Sequence, residues 1–178
     1  MMFKRFLRDL IYICALTCGG ITASAQTTSF DTEFLMTFYA PLEAQQIDSG
    51  LTVFNVIDGG TVKGPKINGT ILTPSADWFQ TLPSGNFQVD VRGTIKTDDG
   101  ALIYISYGGI VHYPNNSLER LMNGEMLTPK DFYFVTTPTF RTSAENYAWL
   151  NNVQCIGRAV EVQVGEKSFV KYEIFVVR

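Results

Sequence analysis

The stretch FQVDVRGTIKTDDGALIYISY, Phe87–Tyr107, decides the fold. In its first half Phe87, Val89, Val91 and Ile95 alternate with Gln88, Asp90, Arg92 and Thr94. That period of two puts apolar side chains on one face of a strand and polar ones on the other. Thr97-Asp98-Asp99-Gly100 follows, and Asp-Gly ahead of a β-rich run is a strong hairpin signal. Ala101 to Tyr107 is the returning strand. A four-residue loop (97–100) sets Ile105 beside Arg92, whereas a three-residue loop (98–100) sets Ser106 there. A slip of one residue changes every facing partner.

The same pattern runs outward in both directions. Phe34–Tyr39 reads as a strand ended by Pro41, and Leu51–Ile57 as one closed by Asp58-Gly59-Gly60. Thr61–Lys63, Lys66–Leu72 and Trp78–Leu82 follow, each bounded by Gly, Pro or Ser. Beyond the hairpin, Phe132–Thr136, Ala148–Ile156, Arg158–Val164 and Ser168–Val177 complete the set. Many short strands separated by turn residues predict an all-β sandwich or barrel, and closure into a barrel removes exposed edges. Two segments read as helical. One lies near 117–123, with Asn116 and Ser117 as caps and Gly124 as a stop; the other is a single turn at Ser143–Asn146.

The N-terminus reads as a leader rather than as part of the fold. Lys4, Arg5 and Arg8 precede an apolar run from Leu10 to about Ile21, and Ala23-Ser24-Ala25 supplies the small residues of a cleavage site. Cleavage before Gln26 is expected, with export to a periplasm or the medium. Residues 26–33 are then a flexible N-terminus and 34–178 a single β-barrel domain. The remaining 153 residues suffice for one core. Their net charge of about −5 argues against nucleic acid and against an anionic membrane surface as partners. Cys14 and Cys18 leave with the leader, so Cys155 stands alone between apolar neighbours and no intrachain disulfide is expected. It reads as a buried, inert thiol. One Cys and one His do not make a zinc site, so no metal is expected. No GxSxG, P-loop, HExxH, CxxC or EF-hand loop occurs, and no cofactor is expected.

Candidate chemistry is therefore spread thinly. Asp90 and Arg92 share the polar face of their strand. They are a surface pair of little worth if that face meets solvent, or a costly buried pair if it lines a cavity. His112, after the strand 101–107 and before the helix, is a candidate general base or a structural loop residue. Trp78 and Trp149 could wall a pocket, and Tyr104, Tyr133 and Tyr147 could add hydroxyls, although aromatic residues equally fill cores.

A set of ordered landmarks goes further. These are Pro41-Leu42, Asp58-Gly59-Gly60, Gly64-Pro65, Ala76-Asp77-Trp78, Asp90-Val91-Arg92, Thr97–Tyr104, Tyr133–Pro138 and Tyr147–Asn151. In that order the chain resembles domain of unknown function family 3237, an uncharacterised family of small proteins. The resemblance covers roughly residues 34–178. It implies a single antiparallel β-barrel, lipocalin-like or allene-oxide-cyclase-like in outline, and supplies no reaction. It also implies that Asp77, Trp78, Asp90, Arg92, Tyr104, Tyr133, Trp149 and Asn151 share a site. Where the family carries Asn-Arg after Trp-Leu, this chain has Asn151-Asn152.

Three functions are consistent with these residues. The first is a binding module for a small, partly apolar ligand in the barrel mouth or lumen, walled by Trp78, Trp149 and Tyr104 and oriented by Asp90 and Arg92. The second is a cofactor-independent isomerase, cyclase or dehydratase. Asp90 or Asp77 would be its acid or base, Arg92 its anion holder, and Tyr104 or Tyr133 its hydrogen-bond donor. The third is a structural protein or homodimer, using strands that are apolar on both faces.

Overall fold

A computed structural model describes residues 29–178; the expected leader lies outside the described residues. The central hairpin comprises β5 (Phe87–Thr97) and β6 (Leu102–His112). Arg92 pairs with Ser106, the register of the three-residue loop. Gly100 donates its N–H to the Thr97 carbonyl at 2.9 Å and sits at φ +91°, a backbone shape that side chains disfavour. The Thr97 hydroxyl accepts the Ala101 N–H at 2.8 Å and fixes the register from inside the turn.

Around this hairpin the strands close on themselves. Before it come β1 (Thr32–Gln46), β2 (Leu51–Val56), β3 (Thr61–Lys63) and β4 (Asn68–Thr81). After it come β7 (Tyr133–Thr136), β8 (Thr139–Arg141), β9 (Cys155–Gln163) and β10 (Phe169–Val177). Strand order is β10-β9-β7-β6-β5-β4-β2-β1, and β10 pairs with β1 to complete the barrel. β3 lies beside β2 between β1 and β4, and β8 extends the β7 position along β6. The expected antiparallel β-barrel is what the described residues form.

Differences from the sequence reading have local causes. β1 runs through Pro41 to Gln46. The Pro41 carbonyl accepts the Ile57 N–H at 3.0 Å, and its missing N–H falls where β1 leaves β10 and takes up β2. Lys66–Leu72 and Trp78–Leu82 are parts of one strand, β4, broken by a bulge between Leu72 and Ala76. Ala148–Ile156 is not a strand. Glu145–Asn152 is a 3-10 helix, and β9 begins only at Cys155. The Asn151 side chain accepts the Thr142 N–H and donates to the Thr142 carbonyl, each at 2.9 Å. These local bonds hold the segment in a tight turn rather than a ladder.

The two ends of the barrel differ. The hairpin end is sealed by the 3-10 helix, whose Leu150 is fully buried, together with Phe140 and Ile67. At the opposite end, helix α1 (Ser117–Met122) and the chain after it cover the β6–β9 side with buried Leu121, Leu127 and Phe132. Asn116 makes no side-chain cap to α1. Arg120 anchors the segment instead, bonded to Glu125 Oε2 and to Asp131 Oδ1, both at 2.9 Å. The β1–β2–β4–β5 side of this end has only a rim of half-buried apolar residues, Leu42, Phe54, Phe79 and Phe87.

Candidate functional site

The inward face of β5 is the apolar one: Val89, Val91 and Ile95 are buried. Asp90 and Arg92 therefore stand on the outer wall, 3.1 Å apart, with side chains 42% and 53% exposed. The Arg92 guanidinium lies 5.6 Å from the Trp78 ring centre, so the Trp78, Asp90 and Arg92 expected to share a site do meet, but on the outside of the barrel. Tyr104 and Tyr133 are exposed on the same wall. His112 is exposed and its Nδ1 lies 2.7 Å from Asn86 Oδ1. Trp149 is at the sealed end with the Lys66 ammonium 5.5 Å from its ring, and Asn151 is occupied with Thr142. None of these points into the barrel, because each lies on the outward parity of its strand or in the closing turn.

Asp77 is the exception. It shares the inward parity of β4 with Ile71 and Phe79, and it pairs with Val91. The bulge sets the depth: extending the Ile71–Ile95 register unbroken would put Asp77 opposite Val89, one rung nearer the mouth. Ser75 holds the bulge. Its hydroxyl donates to the Leu72 carbonyl at 2.6 Å and accepts the Thr94 N–H at 3.2 Å, replacing ladder bonds the bulge interrupts. Gly93 makes room for it, since a Cβ there would lie 2.8 Å from Ser75 Oγ.

Asp77 opens on a cavity of about 20 Å³ lined by Phe38, Phe54, Ser75, Val91, Tyr107 and Tyr172, among others. The space accommodates roughly one water-sized group. No Lys, Arg or His lines it. Oδ1 of Asp77 accepts the Asp90 N–H at 2.9 Å, so the outer residue holds the inner carboxyl through its backbone. Burial is the main cause that pushes the Asp77 carboxyl up, to about 7. The Asp90 charge adds to the rise and the Asp90 N–H opposes it.

Tyr107 and Tyr172 complete the polar set. Both are buried on the cavity wall, and burial pushes both hydroxyls well above the usual range. Their rings sit 5.8 Å apart and pack edge-on with Phe38, and Phe134 packs against Tyr172 at 5.3 Å. A second chain of rings, Phe54, Phe79 and Phe87, runs along the mouth at 5.5 and 5.0 Å. The sequence reading missed Tyr107 and Tyr172. The signal available was parity: Tyr107 follows Ile103 and Ile105 on one face, and Tyr172 precedes Ile174. Cys155 is buried and desolvation raises its thiol to about 11, in keeping with an inert side chain.

Comparison with known proteins places this barrel. The family model described as "Protein of unknown function (DUF3237)" matches residues 27–177. UPF0311 protein RPA1785 of Rhodopseudomonas palustris is 34% identical over 137 residues, covering 75% of this chain and 90% of its own. Its crystal structure superposes with a TM-score of 0.74, over 85% of this chain and 100% of that one. The crystal structure of a "beta-barrel like protein" from Acinetobacter baumannii matches with a TM-score of 0.66 at 30% identity, over 86% and 99% of the two chains. A third relative, named hydroalkoxylation enzyme phnH, from Penicillium herquei, is 26% identical over 169 residues, 90% of this chain and 95% of its own. The chain belongs to the DUF3237 family.

Proposed function

We propose that the open end of the barrel takes up a small, uncharged, largely apolar organic molecule, and that Asp77 gives and takes a proton on it. The observation that carries this reading is the Asp77 carboxyl itself, held by the Asp90 N–H in a lumen with no cation and moved up to about 7. Such a group is divided between acid and base near neutral pH, the condition under which proton transfer is most effective. The half-buried rim of Leu42, Phe54 and Phe79 is the way in.

The name of the Penicillium relative supports the acid–base half. A hydroalkoxylation adds an O–H group across a C=C bond. The O–H and π bonds break, C–O and C–H bonds form, and one proton passes from oxygen to carbon with no change in oxidation state. A single carboxyl suffices: it protonates the carbon in its acid form, recovers a proton from the oxygen, and ends as it began. For this chain the reaction class is a redox-neutral isomerisation or cyclisation by proton transfer. The leader expected in residues 1–25 adds that the chemistry takes place after export.

The test is NMR titration of the protein with a panel of small hydroxy-alkenes, followed over time for products of unchanged mass. Ligand-induced shifts should gather at Leu42, Phe54, Val56 and Asp77. Turnover should fall by about 10²- to 10⁴-fold in Asp77→Asn with binding retained. Shifts confined to the outer wall around Trp78 and Arg92 would refute uptake by the lumen. Binding without turnover across the panel would leave a ligand-binding barrel and remove the acid–base role.

A further inference from the structure

Two proton donors converge on the lumen void, and that narrows what it can hold. The Asp77 carboxyl is tied at Oδ1 by the Asp90 N–H, which leaves Oδ2 to the cavity. The Tyr107 hydroxyl lines the same cavity and carries one proton to donate. Asp77 and Tyr107 stand on one rung of the wall, each paired with Val91 between them. The void they share is the size of a single polar group, and the surfaces leading to it are rings.

Resting on the lumen reading above, we infer that Asp77 and Tyr107 form a two-donor cradle for one neutral acceptor oxygen, that of a conjugated carbonyl compound. A carbonyl oxygen has two lone pairs and takes two donors, one from each side. Its conjugated body fits the aromatic mouth, where flat π-systems stack favourably. Two preorganised donors in a dry site also stabilise the negative charge that grows on such an oxygen when a proton leaves or a nucleophile adds elsewhere in the molecule. A carboxylate ligand is disfavoured, because the cavity offers it no cation and its charge would meet that of ionised Asp77.

The cradle depends on pH through Asp77. The titratable groups around it are Asp90 from β5, Tyr107 from β6 and Tyr172 from β10; β1 and β2 present apolar side chains only. As pH rises through about 7, Asp77 loses the proton it donates. The ketone should then bind less well, while a ligand lacking the oxygen should be unaffected.

Three probes of nearly equal shape test this: 2-acetylnaphthalene, 2-ethylnaphthalene and 2-naphthoate, titrated into the whole protein by calorimetry. At about pH 5.5 the ketone should bind about tenfold more tightly than the hydrocarbon, equal to about 1.4 kcal/mol. By about pH 8.5 the advantage should shrink to roughly threefold, and naphthoate should bind weakest throughout. Tyr107→Phe should cost the ketone about fivefold and the hydrocarbon nothing. The ketone carbonyl stretch should move to lower frequency on binding, and by less in the variant, a response that a packing role for Tyr107 would not produce. Equal binding of ketone and hydrocarbon, or naphthoate binding as tightly as the ketone, would overturn the cradle and leave lumen uptake standing. Failure of all three to bind would overturn both.

Discussion

Asp77 and Asp90 are the same amino acid on adjacent strands, linked by one hydrogen bond, yet they belong to different chemistries. Asp90 looks outward, is paired with Arg92 at 3.1 Å, and shares its surroundings with water. Exposed pairs of this kind contribute roughly 0–1 kcal/mol, because solvent already stabilises both charges. Asp77 looks inward, sees rings and hydroxyls, and has lost most of the water that makes a carboxylate cheap. The thickness of one β-sheet separates a surface ion pair from a proton donor poised near neutrality. The residue that sequence makes prominent is the outer one, since it sits beside an arginine in a strongly alternating strand. The inner one carries the reactive potential.

The largest expected effect lies on the inner side. The folded-state value of Asp77 lies above the unfolded one, so folding takes up a proton. The stability linked to this group is fully present below about pH 4 and is lost as pH rises through about 7. The loss approaches about 4 kcal/mol at its upper limit. In Asp77→Asn that slope should disappear. Urea unfolding at a series of pH values would show wild type and variant diverging between about pH 4 and 7, and parallel curves would break the contrast between the two carboxyls.

A smaller effect is expected at the buried tyrosine pair. Tyr172→Phe keeps the ring among Phe38, Phe134 and Tyr107 and removes one buried hydroxyl. Equilibrium unfolding should register a loss of about 1 kcal/mol. A loss above about 3 kcal/mol would mean that the ring packing had been disturbed as well.

The smallest effect sharpens the comparison from outside. Asp90→Asn leaves its backbone N–H on Asp77 but removes a charge that pushes Asp77 up. The Asp77 titration, followed by carboxyl NMR, should move to lower pH by less than about one unit, with stability changed by less than about 1 kcal/mol. An unchanged midpoint would show that the outer charge is fully screened from the inner carboxyl.

Much of the barrel is legible in the chain. The alternation of Phe87 to Ile95 identifies β5 and its inward face, and Asp98-Asp99-Gly100 identifies the turn. Both are local: the first needs only the pleat, the second only a backbone able to reach positive φ at Gly100. The segment Tyr147–Asn152 misleads because its apolar run suits a strand or a plug equally. Only the bonds from Asn151 to Thr142 and the buried seat of Leu150 make it a closing 3-10 helix. The site was half legible. Asp77 stood among the candidates, but Trp78 beside it drew attention to the opposite face. Tyr107 and Tyr172 are tyrosines in strands until the wall curves and brings their rings to 5.8 Å.

The sequence by itself determines the alternation of the central hairpin strands, the position of their turn and the acidic balance, because each follows from neighbours in the chain or from a count. Tertiary structure alone decides which carboxyl is deprived of water. That depends on β1 and β10, from opposite ends of the domain, pairing to close the wall. It depends also on a bulge after Leu72 that sets how deep Asp77 stands. Desolvation is a property of an enclosed space, and no local pattern of residues encloses one.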